Sequence, residues 1–186
     1  MAWQKKVQFV TVTQGMQKLE KFCAYQERSQ KQVHEKCRSL GLTESETGEV
    51  MIHLLQNDFF SESRFAHAYV KGKSKIKTWG SEKIRQGLKQ AGVSDVLIRE
   101  ALEQLLEVDT QLHLEKWAAK KLKVMKFSED SIAQILSGDL ALSYEDKQKV
   151  KQFLFGKGYS VDAQLAMLGF LKNWTLRVGF YWLNYF

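Results

Sequence analysis

Proline is absent from the 186 residues of this chain, where average usage would give about nine. Proline breaks helix interiors, so its absence suits a chain built from uninterrupted helices. Cysteine is nearly absent too. Cys23 and Cys37 are the only two; they form no CxxC pair and are too few for a disulfide framework. Cys37 falls on one helical face with Val33, the setting of a buried thiol. No stretch reads as a membrane span. The apolar-rich residues 161–186 carry Asp162, Lys172, Asn173 and Arg177, too many polar groups for the ~20 apolar residues a span needs. The N-terminus lacks the apolar core and small-residue cleavage site of a secretory signal. A reducing cytoplasm is therefore the expected setting.

Signatures of catalysis are missing as well. The chain contains no GxGxxG, GxxxxGK[ST], HExxH or GxSxG, the local patterns that cradle phosphates, ligate zinc or expose a nucleophile. Its four histidines, His34, His53, His67 and His113, are scattered. His34 and Cys37 are three apart, with Cys23 nearby, but a zinc site needs a fourth ligand of comparable proximity. The expectation is a protein that is not an enzyme and carries no cofactor or metal.

What is present is a near-average globular composition, 44% apolar and 26% charged, which excludes disorder and collagen. The formal net charge is +7. Residues 64–89 hold all of it: Arg64, Lys71, Lys73, Lys75, Lys77, Lys83, Arg85 and Lys89 stand against Glu82 alone. Residues 44–62 sum to −5 and residues 95–109 to −4. Alternating blocks of this kind can give a folded protein one positive and one negative face. Ordinary solvated helix faces are the plainer reading.

Three stretches repeat one pattern. Val33, Cys37, Gly41 and Leu42-Thr43 correspond to Ile84, Leu88, Gly92 and Val93-Ser94, and to Val150, Leu154, Gly158 and Tyr159-Ser160. The spacing of four puts both apolar side chains on one helical face. The glycine suits a left-handed helix end, and the Ser or Thr suits the N-cap of the next helix. Thr43 with Glu46 has the spacing of a capping box. The following helices agree: Val50, Met51, Leu54 and Leu55 align with Ala101, Leu102, Leu105 and Leu106, and then with Met167, Leu168 and Leu171. A further helix precedes each matched pair. The second such helix places Phe65, Tyr69, Gly72 and Ile76 at core spacing; the third places Leu112, Trp117, Leu122 and Met125 mostly inward.

The predicted architecture is therefore all-α, with three tandem three-helix repeats stacked into an elongated, curved array. Residues 14–58, 59–107 and 108–172 are the repeats. The third contains an insert near residues 127–142, read as a short helix capped by Ser128. Residues 1–13 read as an arm or short strand, with alternation at Val7, Phe9 and Val12. Residues 173–186 form an aromatic tail, for which packing on the last repeat, a partner surface and an origin outside the natural gene product all remain open.

The strongest chemical signal is the basic stretch. Arg64, Lys71 and Lys75 stand at i, i+7 and i+11, one helical stripe, and Arg85 and Lys89 make a second at i, i+4. Between them lie Lys73, Lys77 and Trp79, with Lys83 just beyond. Lysine and arginine offer salt-sensitive phosphate contacts. Trp79 either stacks on a base or partner or staples its loop to the helices. Charge of this kind serves nucleic acid and an acidic protein surface equally.

The run Ser63-Arg64-Phe65-Ala66-His67-Ala68-Tyr69, followed by Gly80-Ser81-Glu82-Lys83-Ile84 with Leu88, then Gly92-Val93 and Ala101-Leu102, resembles the central repeat of the RecX family. Residues 29–41 and the Asn57-Asp58-Phe59-Phe60 that leads into this run resemble its first repeat. The resemblance implies a bacterial cytoplasmic regulator of the RecA recombinase. Such a protein binds RecA, docks in the groove of the RecA–single-stranded-DNA filament, and inhibits strand exchange and ATP hydrolysis; some members also contact DNA, single- or double-stranded. No catalytic residues carry over. The family's basic surface maps onto Arg64, Lys71, Lys75, Lys83, Arg85 and Lys89, and beyond these onto Lys73, Lys77 and Trp79. A monomer without membrane attachment is expected. The rival readings are a direct nucleic-acid-binding helical module without a recombinase partner, and a structural scaffold.

Overall fold

A computed structural model describes residues 10–105, 107–161 and 164, and among these every regular element is a helix. In order they are α1 (Val12–Tyr25), α2 (Gln30–Ser39), α3 (Glu44–Gln56), α4 (Glu62–Lys77), α5 (Ser81–Gln90), α6 (Asp95–Glu103), α7 (Glu107–Val124), α8 (Glu129–Ser137) and α9 (Tyr144–Gly156). The all-α, repeated-trio expectation holds: α1–α3 and α4–α6 are successive trios, and α7 opens a third.

The helix boundaries follow from local chemistry. Thr11, Ser29 and Thr43 close capping boxes with Gln14, Gln32 and Glu46 at the starts of α1, α2 and α3. Each hydroxyl accepts an otherwise orphaned N–H, while the partner side chain accepts the cap's own N–H. At the α3 cap, the Thr43 N–H and hydroxyl hold the Glu46 carboxyl below the usual carboxylate range. Ser94 caps α6 and Ser128 caps α8, the insert helix. The three repeat glycines sit at left-handed φ: 79° at Gly41, 84° at Gly92 and 90° at Gly158.

The described chain falls into two compact units. One holds the residues up to Lys71 together with Arg85–Gln104; the other holds Gly72–Ile84 and the residues from Leu105 onward. In the first unit, Leu19 and Cys23 of α1, Val33 and Cys37 of α2, and Val50 and Leu54 of α3 build one core, closed by Phe60. In the second, Leu114, Ala118 and Leu122 of α7 pack with Val150 and Leu154 of α9 and with Tyr159; Ile132 and Ile135 of the insert helix join them.

Two inward assignments fail: Ile76 and Leu112 are 79% and 57% exposed. Leu55, aligned with Leu106 in the repeat pattern, is 54% exposed and lies about 100° round the helix from the fully buried Leu54. Ile76 lies beyond Val70, where the buried stripe of α4 ends. The expected alternation over residues 3–13 falls mostly outside the described residues, and Val12 and Thr13 stand in the first turn of α1. Leu106, Met167, Leu168, Leu171 and the aromatic tail lie outside them altogether.

Cys23 and Cys37 are both buried free thiols, and burial pushes both above the ordinary thiol pKa. The thiolate is the reacting species. Ellman's reagent at pH 8 should therefore label neither in the native protein within minutes, and both at once in urea; prompt labelling without denaturant would contradict this core.

Candidate binding surface

The nine site residues proposed from sequence distribute over both units, and their surroundings differ sharply. In the first unit, Arg64 is held by two carboxylates. Its Nε donates to Glu27 Oε1 at 2.8 Å, Nη1 to Asp58 Oδ1 at 2.5 Å, and Nη2 to the Asp58 carbonyl at 2.8 Å. Asp58 itself takes a left-handed φ of 57°, and the guanidinium fork fixes both its side chain and its backbone oxygen. Hydrogen bonds to Asp58 and then Glu27 raise the Arg64 pKa further above its ordinary range. Lys89 Nζ meets Asp95 Oδ1 at 2.9 Å in an exposed pair, a type worth at most about 1 kcal/mol. Lys71 is exposed and Arg85 half-exposed.

In the second unit the end of α4 and the start of α5 form a tight junction. Trp79 N–H reaches back to the Lys73 carbonyl at 3.1 Å and closes α4. Thr78 adopts φ 48°, a costly conformation for a β-branched residue. Three bonds hold it there: Trp117 Nε1 donates to the Thr78 carbonyl at 3.0 Å and to its hydroxyl at 2.8 Å, and the Tyr159 hydroxyl donates to the same carbonyl at 3.1 Å. Burial raises the Tyr159 phenol well above its usual range, so it keeps the proton it donates. The next two donors come from the start of α5. Gly80 N–H bonds to the Lys157 carbonyl and Glu82 N–H to the Gly158 carbonyl, both at 3.0 Å. Amides that a helix start leaves orphaned are thus satisfied by carbonyls at the end of α9, where the helix dipole is negative.

This junction sets the lysines around aromatic rings. Lys73 and Lys83 Nζ lie 4.9 and 4.8 Å from the Trp79 ring centre. Lys83 Nζ also donates to the Gly156 carbonyl at 3.3 Å. Lys157 and Lys120 Nζ lie 3.8 and 5.3 Å from the Trp117 ring centre, and Trp117 meets Phe153 edge-on at 5.8 Å. Cation–ring contacts of this kind hold an ammonium in place while leaving it hydrated. Lys75 and Lys77 are exposed at the end of α4. Of the proposed site, then, Lys73, Trp79 and Lys83 are brought together. The sequence reading missed Lys120 and Lys157 as partners of this cluster. The Trp117–Lys120 spacing on α7 was the available signal.

Among the described residues, no group of three His, Cys, Asp or Glu side chains could hold a metal ion, and no helix is long and apolar enough to cross a membrane.

The family model for RecX, second three-helix domain, matches residues 61–102, the segment that contains α4, α5 and α6. Regulatory protein RecX of Bacillus licheniformis is 29% identical over 195 residues, which cover 81% of this chain and 74% of that protein. Regulatory protein RecX of Clostridium botulinum strain Eklund 17B is 30% identical over 135 residues, covering 73% of this chain and 58% of its own length. The crystal structure of RecX from Lactobacillus salivarius shares the fold with a TM-score of 0.70 at 23% identity, over 87% of this chain and 96% of that one. The R-F-A-x-A-Y helix lies inside the matched domain, so residues 61–102 match the second three-helix domain of RecX and the chain as a whole is similar to RecX regulatory proteins in sequence and in fold.

Proposed function

We propose that the protein is a non-enzymatic regulator of homologous recombination that binds RecA and the groove of the RecA–single-stranded-DNA filament, mainly lowering strand exchange and ATP hydrolysis. It acts in the cytoplasm, as a monomer. The observation that carries this reading is the coincidence of the whole net charge, within residues 64–89, with the segment that matches the RecX second domain. A filament presents phosphate and acidic protein surface along one groove, and a cationic strip is steered to both. Regulation follows by mass action. A ligand shifts an assembly equilibrium only through its differential affinity, so the protein must bind assembled filament more tightly than free subunits.

The test is RecA ATPase on single-stranded DNA, with co-sedimentation of the protein and filament across a salt series. Inhibition at stoichiometric protein, with co-sedimentation weakening as salt rises, is the expected result. Unchanged ATPase at stoichiometric excess would refute the reading.

A further inference from the structure

We propose that the cavity formed by the start of α2, the end of α3 and the turn into α4 is a docking site for an arginine-bearing, otherwise apolar segment of a partner protein. The site lies wholly in the first unit. It uses none of the basic stretch, and it goes beyond the filament reading without resting on it.

The cavity holds about 420 Å³, within the range of ligand-binding clefts. Met51, Leu55 and Phe60 supply its apolar wall; Gln30, Asp58 and Glu62 supply the polar one. Met51 and Phe60 are buried members of the first unit's core, so the fold fixes that wall from beneath. Leu55 is exposed, and so is Ile52, three residues earlier on the same face of α3. An exposed apolar side chain is ordinary when it stands alone. Here two stand together, and one of them lines a cavity.

Charge selects the occupant. Residues 44–62 contain five carboxylates and no lysine or arginine. This segment therefore repels phosphate and draws a cation, although the chain as a whole is positive. Glu62 lines the cavity, and its Oε1 is buried with no hydrogen-bond partner among the described residues. A buried oxygen left without a donor costs free energy that an incoming N–H recovers. Asp58 shows which donor suits the site. Its carboxylate and its carbonyl already receive the Arg64 guanidinium, yet its side chain stays 84% exposed and open to a second one. Arginine fits such a wall better than lysine. Its guanidinium is weakly hydrated and presents its donors in a planar fork, whereas an ammonium is a compact, strongly hydrated point charge. The methylene stem of the arginine and an apolar neighbour then cover Leu55 and Ile52.

The test titrates the full chain with a short peptide of alternating leucine and arginine, followed through the methyl NMR signals of methionine and leucine. Peptides with citrulline, the uncharged isostere of arginine, and with glutamate run in parallel. The arginine peptide should shift the Met51 and Leu55 methyls saturably. It should bind more than tenfold more tightly than the citrulline peptide, the scale of losing a charge-assisted hydrogen bond, and the glutamate peptide should leave those methyls unmoved. Glu62→Gln should weaken the arginine peptide more than tenfold at an unchanged circular-dichroism spectrum. Leu55→Arg changes an exposed position and should abolish binding by setting a like charge at the cavity; it carries the test alone if Glu62→Gln unfolds. Equal binding of the arginine peptide and either control, full affinity in a folded variant, or shifts confined to other methyls would overturn the site. Sedimentation velocity of the chain alone tests the rival occupant: a dimer that Leu55→Arg disrupts would assign the cavity to a second copy of this chain and overturn the proposal.

Discussion

Gly158→Ala should lower the unfolding free energy by about 3–5 kcal/mol, a large share of the 5–15 kcal/mol typical of a domain. Two effects combine. Gly158 holds φ 90°, a conformation that costs a residue with a Cβ about 1–2 kcal/mol. A Cβ there would also lie 2.3 Å from Lys83 Cβ and 2.5 Å from Lys83 N. Backbone cannot yield as a side-chain tip can, so the start of α5 must move, at a typical overpacking cost of 1–3 kcal/mol. That movement stretches the bonds from Gly80 and Glu82 to the end of α9, each worth about 1 kcal/mol. Gly80→Ala should behave alike, since its Cβ would meet the Gly158 carbonyl oxygen at 2.2 Å. Gly48→Ala is the control. It lies inside α3 with nothing within 4 Å, and should stabilise by about 0.5–1 kcal/mol. Urea melts of the three variants decide the matter; a Gly158→Ala midpoint equal to the parent's would mean the junction is not as close as described.

Lys71→Glu, Lys75→Glu and Lys77→Glu together should abolish the inhibition of RecA ATPase, raising the half-inhibitory concentration more than tenfold. All three lysines are exposed on α4, and the substitutions cut the net charge of +7 by six. Electrostatically steered association falls steeply with such a change. Arg64→Gln belongs to a different class. Its guanidinium bridges Glu27 and Asp58, and the second Glu27 carboxylate oxygen is already buried without a hydrogen-bond partner. Removing the fork leaves carboxylates in the first unit without their donor. The side chain is 39% exposed, which screens the effect, so a loss of about 1–2 kcal/mol is expected. Its ATPase inhibition should persist below the melting transition. Equal loss of inhibition in a folded Arg64→Gln variant would show that Arg64 belongs to the contact surface.

These two classes mark where the chain's residues speak for themselves. Gly41, Gly92 and Gly158 announced left-handed helix ends, because that backbone conformation is local and glycine is its ordinary occupant. Thr43 with Glu46, Ser94 and Ser128 announced helix starts for the same reason: a cap is satisfied within three residues. The location of the positive charge was equally plain. Whether Arg64 faces outward was not, since its partners lie 37 residues back at Glu27 and six back at Asp58. The strained φ of Thr78 was invisible too, because Trp117 and Tyr159 impose it from 39 and 81 residues away. Helical spacing also overreached at Ile76 and Leu112. Periodicity names a face, but only tertiary packing says how wide the covered stripe is and where along the helix it stops.

The bonding of the α5 start to the end of α9 has a consequence for biogenesis. Gly80 and Glu82 leave the ribosome long before Lys157 and Gly158 are translated, by on the order of ten seconds at 5–20 residues per second. Through that interval the amides of the α5 start have only water to bond. The lysine-rich turn therefore gains its final shape only once α9 has emerged, and a nascent chain cut short before α9 would carry the positive charge without the geometry that aims it.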